Sequence, residues 1–289
     1  MQQINSDIRK TQQFALEIFK EFKRVCDKNQ LRYFAIGGTC IGAVRHKGFI
    51  PWDDDIDIAM PAEDYHKFMS VYAKELQEPY SVFLPSDAKH YTMFFGKVQN
   101  RNTTFVEETI KDYPDRYIGV NIDIFPVYGL PKAEKKIEQI VWKNELLRKI
   151  NSKIRLPFGE CESIGGKILW ILLLPLHIFP FYFITDLQDK MLSQYSFEKS
   201  AKIYFPWRLI PDSDTNSDYT YKNIFYTEDF IETIEKPFED TVILIPKGYN
   251  RYLTMDFGDY MKLPAIEFQT AGHPKAILDF ERSYKYYQK

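Results

Sequence analysis

PWDDDIDIAM, residues 51–60, places four aspartates in the five positions 53–57 and alternates polar with apolar residues through Ala59. A period of two marks a strand with one polar and one buried face. The spacing predicts a strand over Asp55 to Ala59, with Ile56 and Ile58 in the core and Asp55 and Asp57 on the open face. At about 3.3 Å per residue, the α-carbons of those two aspartates lie roughly 6.5–7 Å apart. Carboxylates that close repel, and a hard divalent cation, Mg2+ or Mn2+, relieves the repulsion through oxygen ligands. A solvated acidic turn gives no reason for the isoleucine alternation. A calcium loop counted from Asp53 fails, because it needs Gly where Ile58 stands and Glu where Asp64 stands.

Upstream, Leu31 to Ile36 reads as a buried strand that stops at Gly37-Gly38, and Thr39 is placed to cap a brief helix running through Val44. A Gly-Gly turn at a helix start lets backbone N–H groups approach a phosphate, which nominates Gly37, Gly38 and Thr39 as donor-binding residues. Before it, Ser6 or Asp7 caps a helix whose buried stripe is Phe14, Ile18, Phe22 and Val25/Cys26, ending near Asn29. Downstream, Pro61 opens a helix with Tyr65, Phe68, Met69, Tyr72 and Leu76 on one side. Two further strands are expected at Met93 to Gln99 and Gly119 to Val127. In the second, Asp123 sits between Ile122 and Ile124, where an acid is costly unless paired or metal-bound. Asp123 therefore joins Asp55 and Asp57 as a third candidate ligand. Arg45, His46 and Lys97 are candidate phosphate contacts; Arg45 could instead neutralise a helix carboxyl end, and Lys97 could be a solvated strand residue.

With 45% apolar and 27% charged residues over 289 positions, the chain has the composition of a globular protein that folds without a partner. A net charge of −2 and the lack of a long Lys/Arg run exclude a nucleic-acid stripe. Cys26, Cys40 and Cys161 show no metal or disulfide spacing, and the polar amino terminus lacks a secretory apolar core, so a cytoplasmic setting is expected. From Lys132 the pattern turns helical, through Ile137 to Ile150 and Leu187 to Tyr195. Between these lies Ile168 to Ile184, 17 residues almost wholly apolar but interrupted by Pro175, His177 and Pro180. A span needs about 20 such residues. The expectation is a buried lobe helix. The alternative is peripheral contact with a membrane interface near Trp170, Tyr182, Lys153 and Lys167.

Residues 37–68, GGTCIGAVRHKGFIPWDDDIDIAMPAEDYHKF, resemble the signature block of the LicD family, as do IDIFP at 122–126 and PKGYNRYLTMDFGDYMKLP at 246–264. One departure is Gly37-Gly38 where the family has a Gly-Thr or Gly-Ser pair. The resemblance implies an α+β, nucleotidyltransferase-like mixed sheet flanked by helices. The shift to a helical pattern at Lys132 divides the chain into an expected catalytic core at 1–130, a helical acceptor lobe at 131–235 and a carboxyl-terminal segment, 236–289, packing back on the core. The resemblance further implies that Asp55, Asp57 and Asp123 bind metal, and that a phosphorylated small group, phosphocholine in the first place, passes from a CDP-activated donor to a glycan or lipid-linked glycan. Transfer of a whole nucleoside monophosphate, or a non-catalytic glycan- or membrane-binding role, are the alternative readings.

Overall fold

The computed structural model describes residues 6–155, 157–161, 163–207, 223–270 and 272–288. The first helix, α1 (Ser6–Asn29), buries Ile18, Phe22, Val25 and Cys26, and adds Phe19 to that stripe. Its apolar residues recur every three or four positions, so the side turned to the sheet is continuous. After it come β1 (Phe34–Ala35), α2 (Gly37–Ile41), a π-helical turn over 42–46 and β2 (Asp57–Pro61). Then follow α3 (Ala62–Ser70), β3 (Tyr80–Phe83), β4 (Gly96–Asn100), β5 (Thr104–Glu107) and β6 (Asn121–Gly129).

The central sheet has the order β1-β2-β6-β4-β3. β2 and β6 run parallel at its centre, while β1, β4 and β3 pair antiparallel with their neighbours. Ile56, Ile58, Ile122, Ile124 and Val98 are fully buried in the same core as α1. This is the α+β mixed sheet that the sequence led us to expect.

Several local expectations need correction. The strand expected over Leu31 to Ile36 pairs only at Phe34–Ala35. β2 begins at Asp57, so Asp55 precedes the strand, although the backbone N–H of Asp123 still reaches the Ile56 carbonyl at 2.9 Å. Pro61 closes β2 as the N-cap of α3 and is not its first helical residue. Thr39 caps nothing. It lies inside α2, whose N-cap is Ile36, and its hydroxyl accepts a hydrogen bond from the Asp57 backbone N–H at 2.8 Å. That bond ties the Gly-Gly turn to the first residue of β2.

The second region is less purely helical than expected. α4 (Glu134–Arg155), α5 (Ile164–Leu172) and α6 (Phe183–Leu192) are followed by β7 (Lys202–Tyr204) and β8 (Ile224–Tyr226), and β7 pairs with the far end of β6. The sheet therefore extends into the lobe. Next come the hairpin β9 (Thr233–Phe238) and β10 (Thr241–Pro246), the helix α7 (Tyr249–Phe257), and β11 (Lys275–Asp279), which pairs with β5. The carboxyl-terminal segment thus returns to the core.

The apolar run 168–184 is not a buried helix: only its last residue, Ile184, which belongs to α6, is buried. Within α5 and the 3-10 turn Leu174–Ile178, no residue is buried. Pro175 and Pro180 break the run, and Phe179 takes the extended conformation that a following proline imposes. Among the described residues no helix is long and apolar enough to cross a membrane.

Replacing Thr39 with Val removes the acceptor of a buried N–H, so Thr39→Val should lose about 1–3 kcal/mol of stability in urea unfolding, whereas Thr39→Ser should lose far less. A loss in Thr39→Ser larger than that in Thr39→Val would show that methyl packing, and not the hydrogen bond, matters at this position.

Candidate active site

Lys97, Asp123 and Asp57 lie in one row across three adjacent strands. Asp57 is registered with Asp123 between β2 and β6, and Asp123 with Lys97 between β6 and β4. Registered neighbours present side chains on the same side of a sheet. The Lys97 ammonium donates to Asp123 Oδ1 at 2.5 Å and to Asn121 Oδ1 at 3.1 Å. Lys97 is therefore no freely solvated strand residue. Asp55 turns to His273, whose Nε2 is 3.0 Å from its Oδ2, and His273 Nδ1 is 3.6 Å from Glu107 Oε2.

The electrostatics follow from burial and crowding. Pairing with Asp55, and then with Glu107, pushes His273 up to about 11, so the ring is a cation at neutral pH. His273 in turn outweighs burial and holds Glu107 down to about 2. Burial also acts to raise Asp55, but His273 prevails and the carboxylate stays below its usual range. Burial, followed by the Asp55 and Asp123 charges, drives Asp57 well above the usual carboxylate range. Among the described residues the Asp57 carboxylate has no hydrogen-bond or ion-pair partner. Asp53 is raised by burial and then by Asp55. Asp54 plays a different part: it is fully buried and paired with Lys275 of β11.

The glycines matter through close approach. Gly37 has φ +54, and a Cβ there would lie 3.3 Å from Asp57 Oδ2; one on Gly38 would collide with Asp53 Oδ2 at 2.5 Å. At position 37 the left-handed backbone favours glycine, and at 38 the absence of a side chain lets Asp53 close on the turn. The Gly37 N–H donates to the Tyr252 hydroxyl of α7 at 2.9 Å. Arg45 and His46 lie apart from this constellation. Arg45 donates to the carbonyls of Tyr260 at 2.6 Å and Lys262 at 3.2 Å, and to His46 Nε2 at 2.9 Å. Burial, then the Arg45 charge, lowers His46, which favours a neutral ring. Arg45 thus fastens the turn after α7, and His46 accepts from its guanidinium.

Among the described residues no three His, Cys, Asp or Glu side chains converge as a ligand set. The donor chemistry nevertheless fits a hard cation. Asp55, Asp57 and Asp123 offer oxygen only, and burial and the neighbouring acids disfavour an ionised Asp57 in the absence of a cation. The apolar cavities of about 320 and 460 Å³ lie in the helical lobe and contain none of these acids. We assign the chemistry to the acids because those cavities hold no comparable array of charge. His273, Glu107, Lys275 and Tyr252 escaped sequence reading, since each stands alone in its own stretch.

A mixed sheet with carboxylates on its parallel central pair, beside a Gly-Gly turn, fits the nucleotidyltransferase class. The family model described as LicD/FKTN/FKRP, nucleotidyltransferase domain, matches residues 30–161. The lipopolysaccharide cholinephosphotransferase LicD of Haemophilus influenzae is 31% identical over 271 residues, covering 92% of this chain and 96% of that protein. An uncharacterised protein of Rickettsia typhi is 36% identical over 66 residues, 23% of this chain and 21% of that protein. One of Caenorhabditis elegans is 26% identical over 212 residues, 69% and 50%. The chain belongs to the LicD family.

The two kinds of acid should separate by mutation. Lys275→Met strands the buried Asp54 and should cost about 3–5 kcal/mol in denaturant unfolding. Asp57→Asn should instead stabilise the metal-free protein. Because the folded-state pKa of Asp57 is raised, ionising it costs stability as pH climbs above the ordinary carboxylate value of about 4, so the gain should appear at neutral pH and vanish below that value. Melting curves of wild type and variant at pH 7.5 and pH 3.5 in EDTA measure it.

Proposed function

We propose that the chain transfers phosphocholine from a CDP-activated donor to a sugar hydroxyl of a surface glycan or its lipid-linked precursor, at the inner face of the cytoplasmic membrane. The row Lys97–Asp123–Asp57 beside the Gly37-Gly38 turn carries the reading. Similarity over nearly the full length of the Haemophilus influenzae cholinephosphotransferase supports the head group and the glycan acceptor. Asp55, Asp57 and Asp123 would hold Mg2+ or Mn2+, one ion or two, which when bound neutralises charge building on the donor pyrophosphate.

The protein's own groups have separable tasks. Lys97 holds Asp123 in place and brings a positive charge to the donor phosphates. Asp123 receives the acceptor hydroxyl, orients it and takes its proton as the sugar oxygen bonds to the phosphocholine phosphorus and the bond to the bridging oxygen breaks, releasing CMP. Its carboxyl is raised by burial, an effect that Lys97 opposes, and a raised carboxylate is a better base. Protonated His273 keeps Asp55 ionised and fixed. Glycine at 37 and 38 lets the turn sit directly against Asp57 and Asp53, which would bring a donor pyrophosphate at the turn close to the acids.

Mass spectrometry of acceptor glycan incubated with CDP-choline decides the product: a gain of phosphocholine supports the reading, and a gain of CMP shows nucleotidyl transfer instead. CDP-ethanolamine, CDP-glycerol and CDP-ribitol tested in parallel fix the head group. Asp57→Asn and Asp123→Asn should each lower kcat by at least about a hundredfold, as loss of several kcal/mol of transition-state stabilisation requires. Excess EDTA should abolish turnover, with recovery on adding Mg2+ or Mn2+. Full activity in EDTA would exclude the metal assignment.

A further inference from the structure

The helical lobe carries an apolar surface that the transferase reading does not use. Along α5 and the turn after it, Ile164 is 81% exposed, Ile168 54%, Leu172 69% and Ile178 81%, and Leu169, Ile171, Leu174 and Phe179 each stay more than two-fifths exposed. At 100° per residue, Ile171, Ile164, Ile168, Leu172 and Leu169 sweep a single arc of roughly 160° on α5. Trp170 points the other way: its ring packs edge-on against Phe158 with centroids 5.2 Å apart, and against His177 at 5.2 Å. The indole therefore packs against the two turns that flank α5, and the aliphatic arc is left exposed. Exposed aliphatic side chains this concentrated on one short element mark an interaction surface.

Charge indicates what meets it. Residues 163–185 contain no Asp or Glu. Lys167 lies on one flank of the arc, with its ammonium 5.9 Å from the Phe158 ring centroid. Lys153 reaches the other side of the helix, with Nζ 3.3 Å from where a Cβ on Gly166 would stand. Lys89 borders the neighbouring cavity of about 320 Å³, walled by Leu176, Phe179 and Phe181. None of these three lysines has an ion-pair partner among the described residues. A second copy docked by a two-fold axis on this arc would set lysines against lysines with no acid from the segment to pair them. An anionic lipid surface complements both parts, receiving aliphatic side chains below the headgroups and lysines at their level.

Depth is bounded by length. The nine residues of α5 span only about 14 Å at 1.5 Å per residue, against a hydrocarbon core of about 30 Å. Pro175 ends any continuation, so the element lies in the interface and does not cross it. We infer that α5 and the turn Leu174–Ile178 form a reversible docking surface for an anionic membrane, with the arc Ile164–Ile168–Leu172 and Ile178 inserted and Lys153 and Lys167 at the headgroups. The inference stands apart from the transferase reading, because vesicle binding is scored without turnover.

Flotation of the full chain with vesicles of equal parts phosphatidylglycerol and phosphatidylethanolamine, and with pure phosphatidylcholine, tests it. The wild type should float with the anionic vesicles, and binding should weaken in 0.5 M salt. Ile168→Gln/Leu172→Gln/Ile178→Gln should lower the vesicle partition coefficient at least tenfold with an unchanged melting temperature, since all three side chains are already exposed. Lys153→Glu/Lys167→Glu should abolish the preference for anionic vesicles. Activity on a water-soluble acceptor fragment should survive in both variants, which separates failure of docking from failure of catalysis. The inference is overturned if the wild type stays with the soluble fraction, if the triple variant floats like wild type, or if that variant converts a dimer to a monomer without altering flotation.

Discussion

The parallel pairing of β2 with β6 is the constraint on which the rest depends. Its register sets Asp57 beside Asp123, two carboxylates in a largely buried place where solvent cannot screen them. Every neighbouring feature answers that concentration of negative charge. Lys97 arrives from β4 in register with Asp123, and His273 meets Asp55. Lys275 takes Asp54. Asp57 and Asp53 are left without an ion-pair partner among the described residues. A fully compensated cluster would be a structural salt-bridge network. One with a deficit of positive charge is the arrangement on which the proposed metal-assisted phosphoryl transfer rests.

The compensating groups come from the end of the chain. β11 pairs with β5 and so delivers His273 and Lys275 to a site founded on residues 53–57. α7 sends Tyr252 to the Gly37 N–H, and Arg45 clasps the turn that follows α7. The hairpin β9–β10 closes the same region from another side: Glu239 accepts from the Phe49 N–H at 3.1 Å and pairs with Arg9 at 2.6 Å, holding the loop between the Gly-Gly turn and the aspartates. The carboxyl-terminal segment is thus part of the site. It explains why similarity to the Haemophilus influenzae enzyme runs over nearly the whole chain and beyond residues 30–161.

The lobe inverts the usual logic of burial. Its true core is polar in part: Arg155 is buried, with its guanidinium donating to the carbonyls of Pro85, Ala88 and Tyr91 and to the Thr185 hydroxyl, while the most apolar helix of the chain faces outward. A buried cation is tolerable only with such a set of acceptors, and an outward aliphatic helix only where something other than water meets it. A glycan acceptor carried on a lipid would bring the acids of the sheet and the outward face of the lobe to work on one molecule.

How much of this was legible beforehand depended on the range of the interactions. Local alternation made Ile56 and Ile58 core residues and put Asp55 and Asp57 on the other side, and an acid flanked by Ile122 and Ile124 identified Asp123; period and burial are properties of neighbouring residues. The α+β class and the stripe of α1 were readable for the same reason. Pairing partners were not. His273, Glu107, Lys275 and Tyr252 gain meaning only when strands and helices distant in sequence are brought together, and Thr39 changed from a helix cap to a support of β2 because Asp57 sits opposite it. The run 168–184 was as apolar in sequence as a core helix, and hydropathy alone could not say which way it faced. The tertiary structure decided that by leaving every residue of α5 unburied, since a helix is buried or exposed by what lies against it and not by what it is made of.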